Sequence, residues 1–295
     1  MSDPSSTGAQ TSGELLASAL TALGGKTPSA RLDAEVLLAH ALDMPRTRLL
    51  GWPDDRVAAS QAARYRELIA RRGDGEPVAY LTGMREFWSL PLEVTRQTLI
   101  PRPETELLVE VALALIPDGV PLTIADLGTG TGAVAAAIAT ERRDCRVIAT
   151  DVCPRALAVA SRNMEQLGLD NVTLRQGSWC DALSNERCAF IVANPPYIAS
   201  GDAHLARGDL RFEPRLALTA GDDGLDAVRD ITACAAAHLL PGAALILEHG
   251  CDQGPAVQEL FRHHDYENIR DYQDLAGNDR VVVGFTYQSG TLPNS

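Results

Sequence analysis

Apolar positions between residues 13 and 83 recur at helical spacing. Leu15, Leu16, Ala19, Leu20 and Leu23 fall at i, i+1, i+4, i+5 and i+8, one face of a helix, and Leu32, Val36, Leu37 and Ala41 repeat the pattern. Gly24-Gly25 and Pro45 punctuate these segments. A third helix is predicted over about Arg56–Arg72, ending at Gly73-Asp74-Gly75. From residue 84 the pattern changes. Two short extended runs flank Ser89-Leu90-Pro91, and prolines follow at 101 and 103, so 84–103 reads as a β-hairpin linker. A helix is expected from about Glu104 to Leu115.

Beyond Leu122 short apolar runs alternate with helical ones. The runs are 122–127, 146–151, 172–176, 189–194 and 243–250, and helices are expected near 132–141, 155–167 and 225–239. Strands that read as continuous apolar stretches, separated by helices, predict an α/β fold with a doubly wound, mostly parallel Rossmann-like sheet. Residues 268–285 read as strand, turn and strand, an antiparallel C-terminal hairpin on that sheet. The expected organisation is a disordered tail (1–12), a small all-helical domain that docks a partner (13–83), the hairpin linker (84–103), the α/β domain (104–288) and a second tail (289–295).

Composition narrows the function classes. Charged residues make up 22% and hydrophobic residues 45% of 295 residues, an ordinary balance for a soluble chain. No run approaches the length of a membrane span, and the N-terminus has neither a basic start nor an apolar stretch, so a cytoplasmic location is expected. Net charge is −13, which disfavours a nucleic-acid substrate. The charge is uneven: residues 1–83 carry 9 Lys+Arg and 10 Asp+Glu, the remainder 17 and 29. Six cysteines form no C-x-x-C pair, so reduced thiols are expected and no metal site is implied.

Two signals point to a nucleoside-containing cofactor. At Asp126–Gly132 a predicted strand ends, glycines make a tight turn and a helix begins. Gly128, Gly130 and Gly132 permit close approach to the backbone, and the helix N-terminus offers free N–H groups. Asp151 ends the next strand, where an acid can accept hydrogen bonds from both ribose hydroxyls. These features also match the loose dinucleotide fingerprint, so a nicotinamide or flavin enzyme stays open at this point. A third signal decides between them. Asn194-Pro195-Pro196-Tyr197 follows a predicted buried strand and should face the same crevice. The prolines stiffen the turn and remove two backbone donors. What is left is a fixed cluster of acceptors, the Asn194 side-chain oxygen and a nearby carbonyl, which suits a planar NH₂ group, with Tyr197 against its plane.

The combination resembles class I methyltransferases acting on amino or amide nitrogens. The segments Pro77–Gly83, Glu86-Phe87-Trp88, Leu99–Glu106, Phe212-Glu213-Pro214-Arg215, Gly221–Leu225 and Glu248-His249-Gly250 resemble the release-factor glutamine methyltransferases, over about residues 14–285. The resemblance implies S-adenosylmethionine as cofactor, held by Gly128, Thr129, Gly130, Thr131 and Gly132, with Asp151 on the ribose and Trp179 near the adenine. It implies that Asn194, Pro195, Pro196 and Tyr197 grip the amide, with Asn194 also close to the cofactor. Ser178 departs from the pattern, standing where relatives often carry Asp. The implied substrate is the glutamine of the Gly-Gly-Gln motif in peptide chain release factors, methylated on its side-chain nitrogen. The alternatives are a glutamine methyltransferase of a ribosomal protein, an adenine-DNA methyltransferase and a non-catalytic nucleotide-binding regulator. Glu248 and His249 sit at a strand end, where they could either touch the site or serve the structure.

Overall fold

A computed structural model describes residues 10–206 and 208–288. The chain divides into two units, one taking residues up to Gly83 together with Ala206–Phe212, the other taking Met84–Leu205 and the chain from Glu213 onward.

The first unit contains α1 (Ser12–Leu23), α2 (Ala30–Leu42), α3 (Arg46–Gly51), α4 (Ala59–Gly73) and α5 (Val78–Thr82). A capping box starts α1: the Thr11 hydroxyl accepts from the Glu14 N–H at 3.2 Å, and the Glu14 carboxylate accepts from the Thr11 N–H at 3.0 Å. The expected tail therefore loses residues 10–12 to the folded unit, and its first nine residues lie outside the described ones. Leu15, Ala19 and Leu23 are buried as expected, but Leu20 and Leu32 stay exposed. The buried stripe of α2 runs through Ala34, Leu37, Leu38 and Ala41, because the helix packs against both α1 and α4. Buried Asp33 is held by Arg72 Nε at 2.7 Å and by the Thr27 and Ser29 hydroxyls at 3.0 and 2.9 Å, which offsets its desolvation. The 206–212 excursion joins this unit through Asp209, 3.4 Å from Arg72 Nη1, and through Arg211, which donates to the Asp74 carbonyl.

The second unit opens with the antiparallel hairpin of β1 (Met84–Phe87) and β2 (Leu90–Glu93). Its turn uses Trp88 (φ 53°) and Ser89 (φ 58°), both left-handed, without the Asn-Gly or Asp-Gly pair that usually marks such a turn. A 3₁₀ turn at Pro103–Thr105 leads into α6 (Glu106–Leu115). The strands are β3 (Thr123–Leu127), β4 (Arg146–Asp151), β5 (Val172–Gln176), β6 (Cys188–Ala193), β7 (Leu239–Glu248), β8 (Glu267–Gln273) and β9 (Asp279–Phe285). They form one sheet in the order β5-β4-β3-β6-β7-β9-β8. The first five strands run parallel, while β9 is antiparallel to β7 and β8, which gives the expected terminal hairpin. Helices α7 (Ala133–Glu141), α8 (Pro154–Leu167), α9 (Asp226–Ala235) and α10 (Gly254–His263) complete the unit. Side chains alternate between the two faces of the sheet: Ile124 and Val192 join one buried cluster, Ala125, Leu127 and Ile191 the other.

Reduced thiols do not hold for one pair. Cys180 and Cys234 form a disulfide, with Cα atoms 6.1 Å apart. The partners are 54 residues apart in sequence, brought together by the 3₁₀ turn at Trp179–Leu183 packing on α9, so local spacing carries no sign of the bond. Cys145, Cys153, Cys188 and Cys251 are free. Among the described residues no helix is long and apolar enough to cross a membrane.

Candidate active site

Strand order builds the site. β3 is flanked by β4 on one side and β6 on the other, the point where the sheet's winding reverses. The loops leaving β3, β4 and β6 thus open into one cleft of about 480 Å³, whose lining includes Gly128, Gly130, Asp151, Trp179, Asn194 and Pro196.

Each member of the glycine loop has its own task. Gly128 has φ 75°, and a Cβ there would sit 3.1 Å from the Trp179 ring, so glycine allows both the turn and the indole's approach. Gly132 caps α7 with φ 82°, but its missing Cβ faces Ala160 and Met164 of α8, so it serves helix packing and does not line the cleft. Thr129 and Thr131 are buried. The Thr129 hydroxyl donates to Asp126 Oδ2 at 2.6 Å, and the Thr131 carbonyl accepts from Asn163 Nδ2 at 2.9 Å. The Thr129 hydroxyl and the Thr131 carbonyl thus brace the loop from behind. Asp126 also accepts from the Ala135 N–H at 3.2 Å, and its burial pushes the carboxyl up to about 6.

Asp151 ends β4 with its side chain on the cleft. Oδ2 accepts from the Gly130 N–H at 2.9 Å and Oδ1 from the Cys153 N–H at 2.8 Å. Each oxygen keeps a further lone pair for a ligand. Burial raises the Asp151 pKa, and the two backbone donors pull it back. Trp179 holds φ 42°, a rare conformation for a bulky residue, and its ring borders Gly128. Ser178 lines the cleft beside it. A glycine-floored slot beside an indole, with an acid on its rim, fits a nucleoside-bearing cofactor such as S-adenosylmethionine.

At the turn after β6, Asn194 and Pro196 line the cleft. Asn194 Nδ2 donates to the Thr105 hydroxyl at 2.9 Å, which turns the side-chain oxygen away from Thr105. Tyr197 is half-buried, its phenol pushed up to about 12 by burial first and by the nearby Glu248 carboxyl second. The Tyr197 carbonyl accepts from Gln253 Nε2 at 3.0 Å and crowds Gly224, where a Cβ would come within 2.3 Å of that oxygen. Glu248 ends β7 fully buried. His249 is buried too, its ring nitrogens 2.8 Å from the Gly250 carbonyl oxygen and 3.1 Å from Asp271 Oδ1, so it ties β7 to β8 and faces away from the cleft.

The cleft has walls the sequence reading did not name. Gln97, Thr98 and Leu99 approach from the segment after the hairpin, and Leu216, Thr219 and Asp230 approach from the far side. The signal for part of this lay in the Leu99–Glu106 and Phe212–Arg215 segments, whose resemblance to a family was legible before any role was. Arg102 Nη2 pairs with buried Glu213 at 2.6 Å and fastens those two segments to each other.

Residues 14–83 match the model of the PrmC N-terminal domain, and residues 104–209 match the methyltransferase small domain. The release factor glutamine methyltransferase of Escherichia coli K12 is 48% identical over 263 residues, covering 88% of this chain and 94% of the relative. That of Pseudomonas aeruginosa is 51% identical over 258 residues, covering 88% and 93%. Among solved structures, a methyltransferase from Pyrococcus furiosus superposes with a TM-score of 0.52 at 20% identity, covering 74% of this chain and 97% of that one. The T. thermophilus 16S rRNA N2 G1207 methyltransferase, solved with AdoMet and guanosine, gives 0.51 at 19% identity, covering 69% and 49%. At these identities the structural likeness is one of fold. The sequence relatives carry the assignment: the chain belongs to the release factor glutamine methyltransferase family, S-adenosylmethionine-dependent enzymes.

Proposed function

We propose that this chain methylates the side-chain amide nitrogen of the glutamine in the Gly-Gly-Gln motif of peptide chain release factors. The observation that carries the reading is the shared cleft. Gly128, Gly130 and Asp151 on one side meet Asn194 and Pro196 on the other, with the Asn194 oxygen left free of Thr105.

Asp151, the Gly128–Gly130 backbone and Trp179 are the residues that hold the cofactor; Thr129, Thr131 and Gly132 keep the loop in shape from behind. Bound S-adenosylmethionine supplies an electrophilic methyl group, so the protein's task is the nucleophile. An amide nitrogen is poor because its lone pair is delocalised into the carbonyl. The Asn194 oxygen and the Pro195 carbonyl each accept one hydrogen of the substrate NH₂, which fixes the nitrogen and favours the positive charge it develops. Pro195 and Pro196 hold the acceptors rigid, and Tyr197 backs the turn. Catalysis is then positioning and electrostatic stabilisation. The methylated nitrogen becomes acidic and loses its proton after transfer, so no general base is required before it.

The helical unit carries none of the cofactor residues and is nearly neutral, and we assign it the docking of the release factor. The charge of −13 supports a protein substrate over a nucleic acid, and that substrate places the reaction in the cytoplasm. Labelled S-adenosylmethionine offered in parallel with release factor, ribosomal proteins and DNA tests the reading. The expected result is label on the release factor alone, lost when its Gly-Gly-Gln glutamine is replaced. Label on DNA or on a ribosomal protein, with none on the release factor, would refute it.

A further inference from the structure

A covalent bond joins two walls of the cleft. Trp179, whose ring borders Gly128, is followed directly by Cys180 in the 3₁₀ turn Trp179–Leu183. Cys180 is bonded to Cys234, which lies in the last turn of α9. Helix α9 lines the cleft too, through Asp226, Ala227 and Asp230. Asp230 and Cys234 are four residues apart, so one face of α9 carries both the cleft wall and the sulfur.

The stretch that carries the indole has an anchor on each side. The Gly177 N–H donates to the Asp151 carbonyl at 3.1 Å, and Cys180 is tied to α9 through its sulfur. Trp179 stands between them at φ 42°, in the left-handed region that a bulky side chain avoids. Such a conformation persists only where the surroundings impose it. Cys180 is buried and Cys234 half-buried, so a reductant reaches the bond from the α9 side. The other four cysteines are free thiols. The reaction proposed above belongs to the cytoplasm, where the disulfides that do form are mostly transient or redox-sensing.

We propose that the Cys180–Cys234 bond is a redox switch on cofactor binding: closed, it holds Trp179 against Gly128 and completes the slot; open, it releases the indole, and the chain binds S-adenosylmethionine more weakly. The switch rests on the reading of Trp179, given above, as a wall of the cofactor slot. Its chemistry is thiol–disulfide exchange. A dithiol passes two electrons and two protons to the bond, leaves thiols at Cys180 and Cys234, and closes to its own disulfide; the reverse exchange restores the bond. Once the bond is open, Trp179 relaxes toward negative φ, and cofactor binding has to work against that relaxation. Linkage makes the effect reciprocal, so bound cofactor protects the disulfide by the same factor.

Calorimetry on the full chain, equilibrated with oxidised or with reduced dithiothreitol at a temperature where circular dichroism shows both forms folded, reads the switch. Thiol titration after denaturation should count four thiols in the first state and six in the second. Affinity for S-adenosylmethionine should fall on the order of 10-fold on reduction, the scale of one left-handed residue set free. Cys234→Ser should bind like the reduced wild type in either medium. Trp179→Ala should bind weakly in both, because the bond acts through the indole. In a mixed dithiothreitol buffer, saturating cofactor should raise the ratio of disulfide to dithiol by the same factor as the affinity change. Equal affinities in the two redox states, or six thiols counted in oxidised dithiothreitol, would overturn the switch. If Trp179→Ala binds weakly while the wild type binds equally well in both states, the switch falls and the slot stands. A Trp179→Ala enzyme with wild-type affinity would refute the slot itself, and with it any control exerted through the indole.

Discussion

Leu127 and Ala193 are register partners at the carboxyl ends of β3 and β6. The residue that follows each strand is Gly128 on one side and Asn194 on the other, so the proposed cofactor floor and the proposed amide grip are neighbours by strand pairing alone. Neither depends on a flexible loop for its place.

Asn194→Ala should remove a preorganised acceptor at the reacting centre, costing about 2.7–4 kcal/mol, or roughly 10²–10³ in rate, with a smaller loss of cofactor affinity. Asn194→Asp is the sharper variant. It keeps an acceptor oxygen but adds a negative charge and loses the donor to Thr105. It should retain more activity than Asn194→Ala and well under about a tenth of wild type. Single-turnover rates at saturating cofactor decide the order of the variants.

Asp151→Ala should weaken S-adenosylmethionine binding by about 10- to 100-fold, the worth of hydrogen bonds to a charged group. Because Asp151 also accepts the Gly130 and Cys153 N–H groups, Asp151→Asn should lose less than alanine, keeping part of the loop's anchorage. Unchanged affinity in either variant by calorimetry would remove Asp151 from the ribose.

Deleting residues 1–83 should leave cofactor binding largely intact while methylation of a whole release factor collapses. The deletion also strips the partners from 206–212, since Asp209 and Arg211 bond to Arg72 and to the Asp74 carbonyl. A truncated chain that binds cofactor yet methylates release factor at the full rate would show that the helical unit does not dock the substrate.

Stability should fall as pH rises across the neutral range. Glu248 moves from its ordinary 4.5 to about 7, and Asp126 from 3.8 to about 6, both through burial. The folded state holds these protons more tightly than the unfolded chain does, so the contribution is full below the unfolded values and is lost as pH climbs through the folded ones. Urea denaturation of Glu248→Gln against wild type should show a relative gain at about pH 8 that shrinks toward about pH 5. A constant difference across that range would contradict the buried, titrating carboxyl.

The Cys180–Cys234 bond closes a loop across 54 residues. Chain entropy assigns such a closure about 4 kcal/mol. Cys234→Ser should lower unfolding stability by an amount of that order under oxidising conditions and by much less under reducing ones. Equal stability in both conditions would mean that the bond contributes nothing.

Most of the α/β unit was legible because its signals are local. The apolar runs ending at Leu127, Asp151 and Ala193 became β3, β4 and β6, and the glycines and prolines behind them marked their loops. The misses share a cause in tertiary context. The buried side of α2 is chosen by α1 and α4, and its own periodicity did not show it. Helices α3 and α10 were too short, or too weakly punctuated, to register. Gly132 reads like its neighbours in a cofactor loop, yet its missing Cβ makes room for α8. Thr105 and Asn194 are 89 positions apart in the numbering, and only the tertiary fold brings them into contact.

The placement of Ala206–Phe212 also bears on how the chain is made. The helical unit leaves the ribosome before the sheet does, yet one of its own segments is encoded after β3 to β6. It can collapse around Leu37, Leu38 and Tyr65 early, but Arg72 and the Asp74 carbonyl wait for Asp209 and Arg211 until β3 to β6 have been synthesised. The last stitches of the first unit to emerge are therefore made by a late stretch of chain, and neither unit can be exchanged as an uninterrupted cassette.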